Sequence, residues 1–358
     1  MNITINRSIL ADALASVAAV IPTRSPKPVL SCVKIEAAKD AITLTCTDLE
    51  LTIARTVPAD EAEGDAILVD AAKLLSIATT ETCERLTLRT SGSELRVDGD
   101  TGTYKLFTQP ASEFPPTPNT LNGVAINFDA GELHRLASAT SYAVAQEGAR
   151  YAFNGVKVET DGKAVSFIAT DGRRLAVVNV PKKSAKGSAI IPPRVFNVAT
   201  KVGSGSPWTL TIGDNQAELT TDGATIRTNI LEGTFPAWRE VVPSNEAITI
   251  TIKADAEELA SAVRRASLLT SDDSKGVRFD VGNGIAMSSR NPESGEAKVD
   301  LACQVDGGTL AIGINPKFVL DALKPVDGEL SFRMSTANRP VLIESGDYRA
   351  VIMPVNLQ

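Results

Sequence analysis

The sequence predicts an α+β chain made of three successive domains of one design, and three observations carry that prediction. A short alternating strand running into an apolar helix occurs three times, as ITINRSILADALASVAAV from residue 3, VAINFDAGELHRLASATSYAV from 124 and ITITIKADAEELASAVRRASLL from 248. A second strand–helix pair recurs as LVDAAKLLSIATT at 68, IIPPRVFNVATKV at 190 and IGINPKFVLDALKPV at 312, spaced by 122 residues each time. Finally, Phe114-Pro115 and Phe235-Pro236, 121 residues apart, each lie just before a new repeat begins. A period of this length is the size of a domain and too long for a solenoid unit. The boundaries therefore fall near 120 and 246, giving domains 1–120, 121–245 and 246–358.

Within each repeat the elements follow from local pattern. Period-two alternation gives way to apolar residues at helical spacing, such as Leu259, Val263 and Ala266 in the third copy. The second helices start beside Asp70, Pro193 and Pro316, residue types that supply a cap or need no amide in the first turn. Between the helices, residues 41–57, 164–180 and 284–305 each read as two strands joined by a polar turn. GNG at 282–284 and GSG at 203–205 lack the rest of a dinucleotide fingerprint and read as hairpin turns.

Composition narrows the chemistry. Hydrophobic residues make up 43% of the chain but aromatics only 4%, so the cores must be built from Ala, Val, Leu and Ile. The N-terminus lacks the pattern of a signal peptide, and no apolar run approaches the ~18 residues of a membrane span, so a soluble, cytoplasmic chain is expected. Cys32, Cys46, Cys83 and Cys303 form no CxxC pair, sit in apolar contexts and read as buried free thiols. His134 is the one histidine, too few for a convincing catalytic triad or zinc site. No phosphate-binding GxxxxGK[ST] loop occurs, and Asp272-Asp273 sits in a polar loop without evident burial. No catalytic residue, metal or cofactor is expected.

Formal net charge is −7, which taken alone argues against a nucleic-acid partner. A basic stripe can coexist with an acidic exterior, however. Arg7, Lys73, Arg135, Arg194, Lys201, Arg264, Arg265, Lys317 and Lys324 lie on the predicted helices or their entries, with Arg24 and Lys27 in the loop after the first helix. They are either ordinary solvated faces or, if the helices share one surface, a diffuse lining that touches phosphates and reads no bases. The stretch FIATDGRRLAVVNV, 167–180, leaves a similar choice for Thr170–Arg174: a catalytic loop, an anion cradle or a hairpin turn.

TDLE at 47–50, RYAFNGVKVE at 150–159, ATDGRRLAV at 169–177, GTFPAWREVVP at 233–243, KGVRF at 275–279 and a terminal VIMPVNL, set on three repeats, resemble the bacterial DNA sliding clamp, the beta subunit of DNA polymerase III. The resemblance spans the whole chain. It implies three DNA-clamp domains per chain, closing as a homodimeric ring with helices lining the hole and antiparallel sheets outside. It implies double-stranded DNA bound without sequence preference, a second copy of the chain, a clamp loader, and tail peptides of DNA polymerases and repair proteins as partners, with no enzymatic activity. A clamp paralogue with altered partners, or an enzyme using the Thr170–Arg174 loop to hold an anionic substrate, are the alternatives.

By motif position the resemblance implies a peptide pocket of Phe153, Thr170, Gly172, Arg173, Arg174, Leu175, Pro236, Val241, Asn315, Phe318, Val341, Val351, Ile352, Met353, Pro354 and Val355. It implies DNA contacts by Arg24, Lys73, Arg150, Tyr151, Arg174 and Arg194. At the seam between copies it implies Tyr104 and Leu106 meeting Leu268 and Leu269, with Lys73, Arg96 and Lys105 facing Glu293 and Glu296. The chain departs from the usual pattern at Arg173, where histidine is common, at Glu240, where a basic residue is common, and at Ala152, Ser274 and Gln358. These departures bear on which peptides it prefers.

Overall fold

Each of the six strand-to-helix signatures folds as one, and in three of them a single residue, Asn6, Asp70 or Asp255, both ends the strand and caps the helix. The computed structural model describes residues 1–22, 27–116, 121–145, 151–203, 206–270 and 276–356, with the side chain of Tyr151 excepted. Arg24, Arg150, Asp272, Asp273, Ser274 and Gln358 lie outside the described residues. Strand Asn2–Asn6 leads into α1 (Arg7–Ala18), Ile67–Asp70 into α2 (Ala71–Thr80), and Val124–Phe128 precedes α3 (Glu132–Ser141). Strand Gly187–Ile191 precedes α4 (Pro193–Gly203), Ile250–Asp255 leads into α5 (Ala256–Ala266), and Leu310–Ile314 precedes α6 (Pro316–Leu323).

The caps are visible. Asn6 accepts from the amides of Ser8 and Ile9, Asp70 from Lys73, Asp255 from Glu257 and Glu258, and Asn315 from Lys317. Each satisfies amides that the first helical turn leaves without partners. In α5, Glu257 and Glu258 occupy the first turn and Arg264 and Arg265 the last, both favourable to the helix dipole, while Leu259, Val263 and Ala266 are buried. Among the described residues, no helix is long and apolar enough to cross a membrane.

The chain sorts into two compact units, Met1–His134 with Arg194–Ile230, and Arg135–Pro193 with Leu231–Gln358. The first holds a 13-stranded sheet. In it, strand Ala224–Asn229 of the middle repeat runs antiparallel to Leu51–Pro58 of the first, with Ile226 opposite Ile53. The second holds a nine-stranded and a four-stranded sheet. In the larger, Arg174–Pro181 of the middle repeat pairs with Tyr348–Ile352 of the third, with Leu175 opposite Val351. The middle repeat is thus divided between two continuous hydrogen-bonded ladders, and strand pairing rather than the sequence period sets what is compact.

The cores are aliphatic, as composition requires. Phe279 from the four-stranded sheet and Phe332 from the nine-stranded sheet are fully buried and meet edge-on, with ring centroids 6.2 Å apart. Such edge-to-face pairs add to the area that both rings bury. The GNG segment is the expected turn, with the Gly282 amide donating to the Gly284 carbonyl at 2.9 Å. GSG is not the expected hairpin: Gly203 is the last residue of α4 and its carbonyl accepts from Trp208 Nε1 at 3.0 Å, while Ser204 and Gly205 lie outside the described residues. The cysteines are free, but only Cys32, Cys46 and Cys83 are buried. Cys303 is half-buried because it lies between two edge strands, Gly295–Leu301 and Gln304–Gly307.

Phe332→Ala should cost about 3–5 kcal/mol, as a buried aromatic truncation does. Urea denaturation checks this, and an unchanged midpoint would remove the Phe279–Phe332 contact from the core of its unit.

Candidate docking site

The Thr170–Arg174 segment closes on itself. Strands Ala164–Thr170 and Arg174–Pro181 form a hairpin whose last pair is Thr170 with Leu175. Thr170 Oγ1 donates to the Arg174 carbonyl at 2.6 Å and accepts from the Gly172 amide at 3.1 Å. Asp171 Oδ1 accepts from the amides of Arg173 and Arg174 at 2.9 and 3.0 Å. Gly172 sits at φ +85°, a left-handed conformation that glycine adopts without a side-chain penalty. The hydroxyl and carboxylate that a catalytic loop would use are spent on building the turn.

Arg174 carries the next layer. Its Nε donates to Asp171 Oδ2 at 3.0 Å, one terminal nitrogen to Asp321 Oδ2 of α6 at 2.7 Å, and the other to the Tyr142 carbonyl at 2.7 Å. The guanidinium lies over the rings of Phe318 and Tyr142, 4.6 and 5.3 Å from their centroids, and is nine-tenths buried. Tyr348 donates its hydroxyl proton to the Ala322 carbonyl at 2.9 Å, so the 2.6 Å contact between the two phenols is donated by Tyr142. Burial raises both phenols above their ordinary range, which keeps them neutral. Burial alone would raise the Asp321 carboxyl too, but hydrogen bonds and charge from Lys324 and Arg174 outweigh it and hold it below the usual carboxylate range. Arg174, expected both at the pocket and on DNA, is committed to this network, because every one of its nitrogens is already engaged.

The remaining pocket residues divide by depth. Leu175 and Val351 are buried in a cluster with Ala152, Ile168, Val177, Ile190, Phe235 and Leu342. Val341 and Ile352 are fully buried partners in the adjoining ladder. Asn315 is occupied as the cap of α6, and half-buried Phe318 stacks under Arg174. The segment after the last strand is pinned by two main-chain bonds, from Met353 to the Arg173 carbonyl at 2.9 Å and from Val355 to the Gly313 carbonyl at 2.8 Å. Pro354 and Val355 are half-buried, whereas Met353 and Val241 stay 39% and 42% exposed. These two are open apolar contacts on a fixed frame.

Phe153 and Pro236 line a cleft of about 670 Å³ together with Ala152, Phe235, Trp238 and Arg239. Phe153 also approaches Gly172, its ring edge lying 3.8 Å from where a β-carbon would stand. Phe235 and Trp238 belong to this lining although neither is among the pocket residues expected from the motifs; a tryptophan beside Phe-Pro in so aromatic-poor a chain is the signal that points to them. The cations beside this cleft are already used. Lys157 and Arg239 stand over Phe235 and Trp238 and both pair with Glu159, at 2.7 and 2.6 Å. Burial opposes ionisation of Glu159, and these two cations reverse it and hold the carboxyl low. Among the described residues, no group of three His, Cys, Asp or Glu side chains could hold a metal ion.

The basic residues also separate into spent and free. Arg7 donates to the carbonyls of Ala78 in the last turn of α2 and of Cys83 beyond it, Arg135 forks onto Asp347, and Lys324 pairs with Asp321. Arg194 pairs with Asp48 and donates to the carbonyls of Ala19 and Val20 just after α1. Lys73, Lys201, Arg264, Arg265 and Lys317 are exposed and their side chains have no partner among the described residues. Arg24, Arg150 and the Tyr151 side chain lie outside the description.

Among the open strand edges of the described residues, two carry or adjoin the residues expected at the seam. Strand Thr103–Pro110 pairs with Glu94–Asp98 through residues 103–107 and with Ile67–Asp70 only through 108–110. Among the described residues, Thr103–Phe107 therefore has one unpaired edge. Strand Gly295–Leu301 ends the four-stranded sheet and also has one. Tyr104 and Leu106 are half-buried, Tyr104 donating to Glu81 at 2.6 Å, whereas the alternation turns Phe107 outward with 83% exposure. Leu268 is 78% exposed and Leu269 half-buried. Arg96 pairs with Asp98 and Lys105 lies 3.6 Å from Glu94, while Glu293 and Glu296 are exposed.

A triplicated α+β chain with a self-satisfied turn beside an open apolar groove has the geometry of a docking scaffold. The chain belongs to the DNA polymerase III beta subunit family: residues 1–118 match its N-terminal domain, 127–237 its central domain and 239–356 its C-terminal domain. It is 30% identical over 375 residues to the beta sliding clamp of Pseudomonas aeruginosa and 29% over 368 residues to that of Vibrio cholerae, with 100% of both chains covered in each case. A crystal structure of the DnaN sliding clamp from P. aeruginosa bound to griselimycin matches at 28% identity with a TM-score of 0.94 over 100% of both chains. The Bacillus subtilis polymerase sliding clamp shares the fold, at 22% identity and a TM-score of 0.93 over 100% of both chains. As a member of this family the chain is a non-catalytic sliding-clamp subunit.

Asp321→Asn should weaken the unit by about 3 kcal/mol, because it leaves the buried guanidinium under-compensated. Since the Asp321 carboxyl is held low when folded, its contribution is full above the unfolded pKa near ~4 and fades as pH falls through the lower folded value. Denaturation between pH 2 and 7 checks this, the wild type losing more of its stability on acidification than the Asn variant.

Proposed function

We propose that two copies of this chain close into a ring that encircles duplex DNA without reading its sequence and tethers polymerases and repair factors through the groove beside Met353. The observation that carries this reading is a pair of open strand edges, Thr103–Phe107, which ends in the exposed Phe107, and Gly295–Leu301, against which the turn Ser267–Leu269 with its exposed Leu268 packs. One edge of each kind per chain lets two copies join head to tail at two equivalent seams. Main-chain pairing across a seam would supply affinity, while Lys105 and Arg96 against Glu293 and Glu296 would set register and partner. Phe107 joins Tyr104, Leu106, Leu268 and Leu269 in that seam.

The domains of this ring are the three repeats, 1–120, 121–245 and 246–358. Lys73, Lys201, Arg264, Arg265 and Lys317, with Arg24, Arg150 and Tyr151, form the DNA-facing set, and Arg194, half exposed although its charge is partly met by Asp48, lies beside it. Exposed ammonium and guanidinium groups scattered on helices attract phosphates at any register, which suits sliding. A clamp loader and tail peptides of polymerases and repair proteins are the other partners, and the cytoplasm is the compartment.

Phe107→Asp or Leu268→Asp should convert the dimer into monomer at micromolar concentration. Light scattering reads this; an unchanged dimer would place the seam elsewhere. Deleting residues 353–358 should abolish binding of polymerase tail peptides while the dimer persists, and unchanged peptide affinity would move the docking site away from the C-terminal segment.

A further inference from the structure

The turn at Thr170–Arg174 has a structural twin 123 residues earlier, at Thr47–Leu51. Thr47 Oγ1 donates to the Leu51 carbonyl and accepts from the Leu49 amide, at 3.0 and 3.1 Å. Asp48 Oδ1 accepts from the amides of Glu50 and Leu51 at 3.1 and 2.7 Å, and its carboxylate pairs with Arg194 as that of Asp171 pairs with Arg174. The Glu50 carbonyl accepts from the Asn229 amide at 3.2 Å, as the Arg173 carbonyl accepts from Met353. Leu49 even adopts φ +80°, beside +85° for Gly172.

After the shared Thr-Asp pair, the side chains loaded on the two turns differ. Glu50 stands in the place of Arg173, Leu49 in that of Gly172 and Asn229 in that of Met353. By ladder register, Thr52 and Arg227 stand where Leu175 and Val351 make the apolar floor, and Arg227 is buried against Glu218. The twin is an internal control on what the turn itself requires. It folds with an acid at the fourth position as well as with a guanidinium, so the charge of Arg173 serves no need of the turn.

Arg173 is exposed and its side chain has no hydrogen bond or ion pair among the described residues. Its main chain is held on both sides, the amide by Asp171 and the carbonyl by Met353. A free guanidinium thus projects from a fixed base next to an exposed methionine, while the neighbouring Arg174, Lys157 and Arg239 are all neutralised by carboxylates. We propose that Arg173 is a specificity-determining residue that reads a carboxylate placed beside the apolar anchor of the docking segment, so that this site selects acidic peptides. The proposal rests on the docking role given above to the Met353 groove. Glu240, exposed and unpaired on the lining of the Phe153–Pro236 cleft, adds direction: the peptide carboxylate lies toward Arg173 and away from Glu240.

The test uses the full-length dimer and two synthetic peptides sharing a Leu-Phe anchor, one with Asp beside it and one with Asn, read by fluorescence anisotropy. The Asp peptide should bind about threefold to fivefold more tightly at low salt, the range of an exposed charge pair, with the gap narrowing at high salt. Arg173→Gln should abolish the gap by weakening only the Asp peptide, and Arg173→Glu should invert it in favour of a Lys-containing peptide. Equal weakening of both peptides by Arg173→Gln would show that the side chain merely packs, and no effect on either would show that it does not touch the ligand; both results overturn the proposal. If neither peptide binds the wild type, the docking role itself fails and takes this proposal with it.

Discussion

One guanidinium fixes the docking end of the second unit. Arg174 joins the hairpin turn at Asp171, helix α6 at Asp321 and Phe318, and the chain just after α3 at Tyr142. Burying a cation is costly, and the cost is recovered only where geometry and hydrogen bonding are complete. Here both conditions are met, since three nitrogens find acceptors and two aromatic faces cover the charge. The gain is less in stability than in position. An incomplete set would leave a buried charge, so the three elements are held in one arrangement.

That arrangement determines what the groove can offer. With Thr170, Asp171 and Arg174 spent internally, the turn presents a bare glycine, the Arg173 side chain and a carbonyl that holds Met353. Leu175, Val351 and Phe235 are buried in one cluster, while the exposed Met353 two residues after Val351, unbranched and with several rotatable bonds, can repack around ligands of different shape. A buried floor with one adaptable edge suits a site that receives short segments from several proteins, because little ordering entropy is lost on the receptor side.

The parts of the fold that local rules govern were legible in the sequence. Asn6, Asp70 and Asp255 end a strand and cap a helix within three residues, so alternation followed by helical spacing identified those elements. Asp171-Gly172 announced its turn for the same reason. What could not be read depends on partners far along the chain. The pairing of Arg174–Pro181 with Tyr348–Ile352 spans about 170 residues, and with the bonds of Arg174 to Asp321 and Arg135 to Asp347 it joins half of the middle repeat to the third. Adjacent arginines at 173 and 174 look alike in sequence, yet Asp321 makes one structural and leaves the other free. Alternation alone puts Phe107 on the outer face with Thr103 and Lys105, but that the edge beside it is unpaired depends on where the strand Ile67–Asp70 stops, a fact of topology that its own sequence does not contain.

The twin turns show how a repeated chain separates folding from function. Thr and Asp recur at both because they make the turn: their oxygens satisfy its amides, and nothing outside it can replace them. The next two positions answer to other demands. Leu49 accepts a backbone conformation that costs a bulky residue on the order of 1 kcal/mol, where Gly172 accepts it freely. At the later turn the floor beneath is apolar instead of Arg227 with Glu218. The same backbone therefore supports a polar, filled junction in one unit and an open groove in the other. The difference lies in a few side chains that the turn does not need for its own stability, and such positions are free to follow the partner.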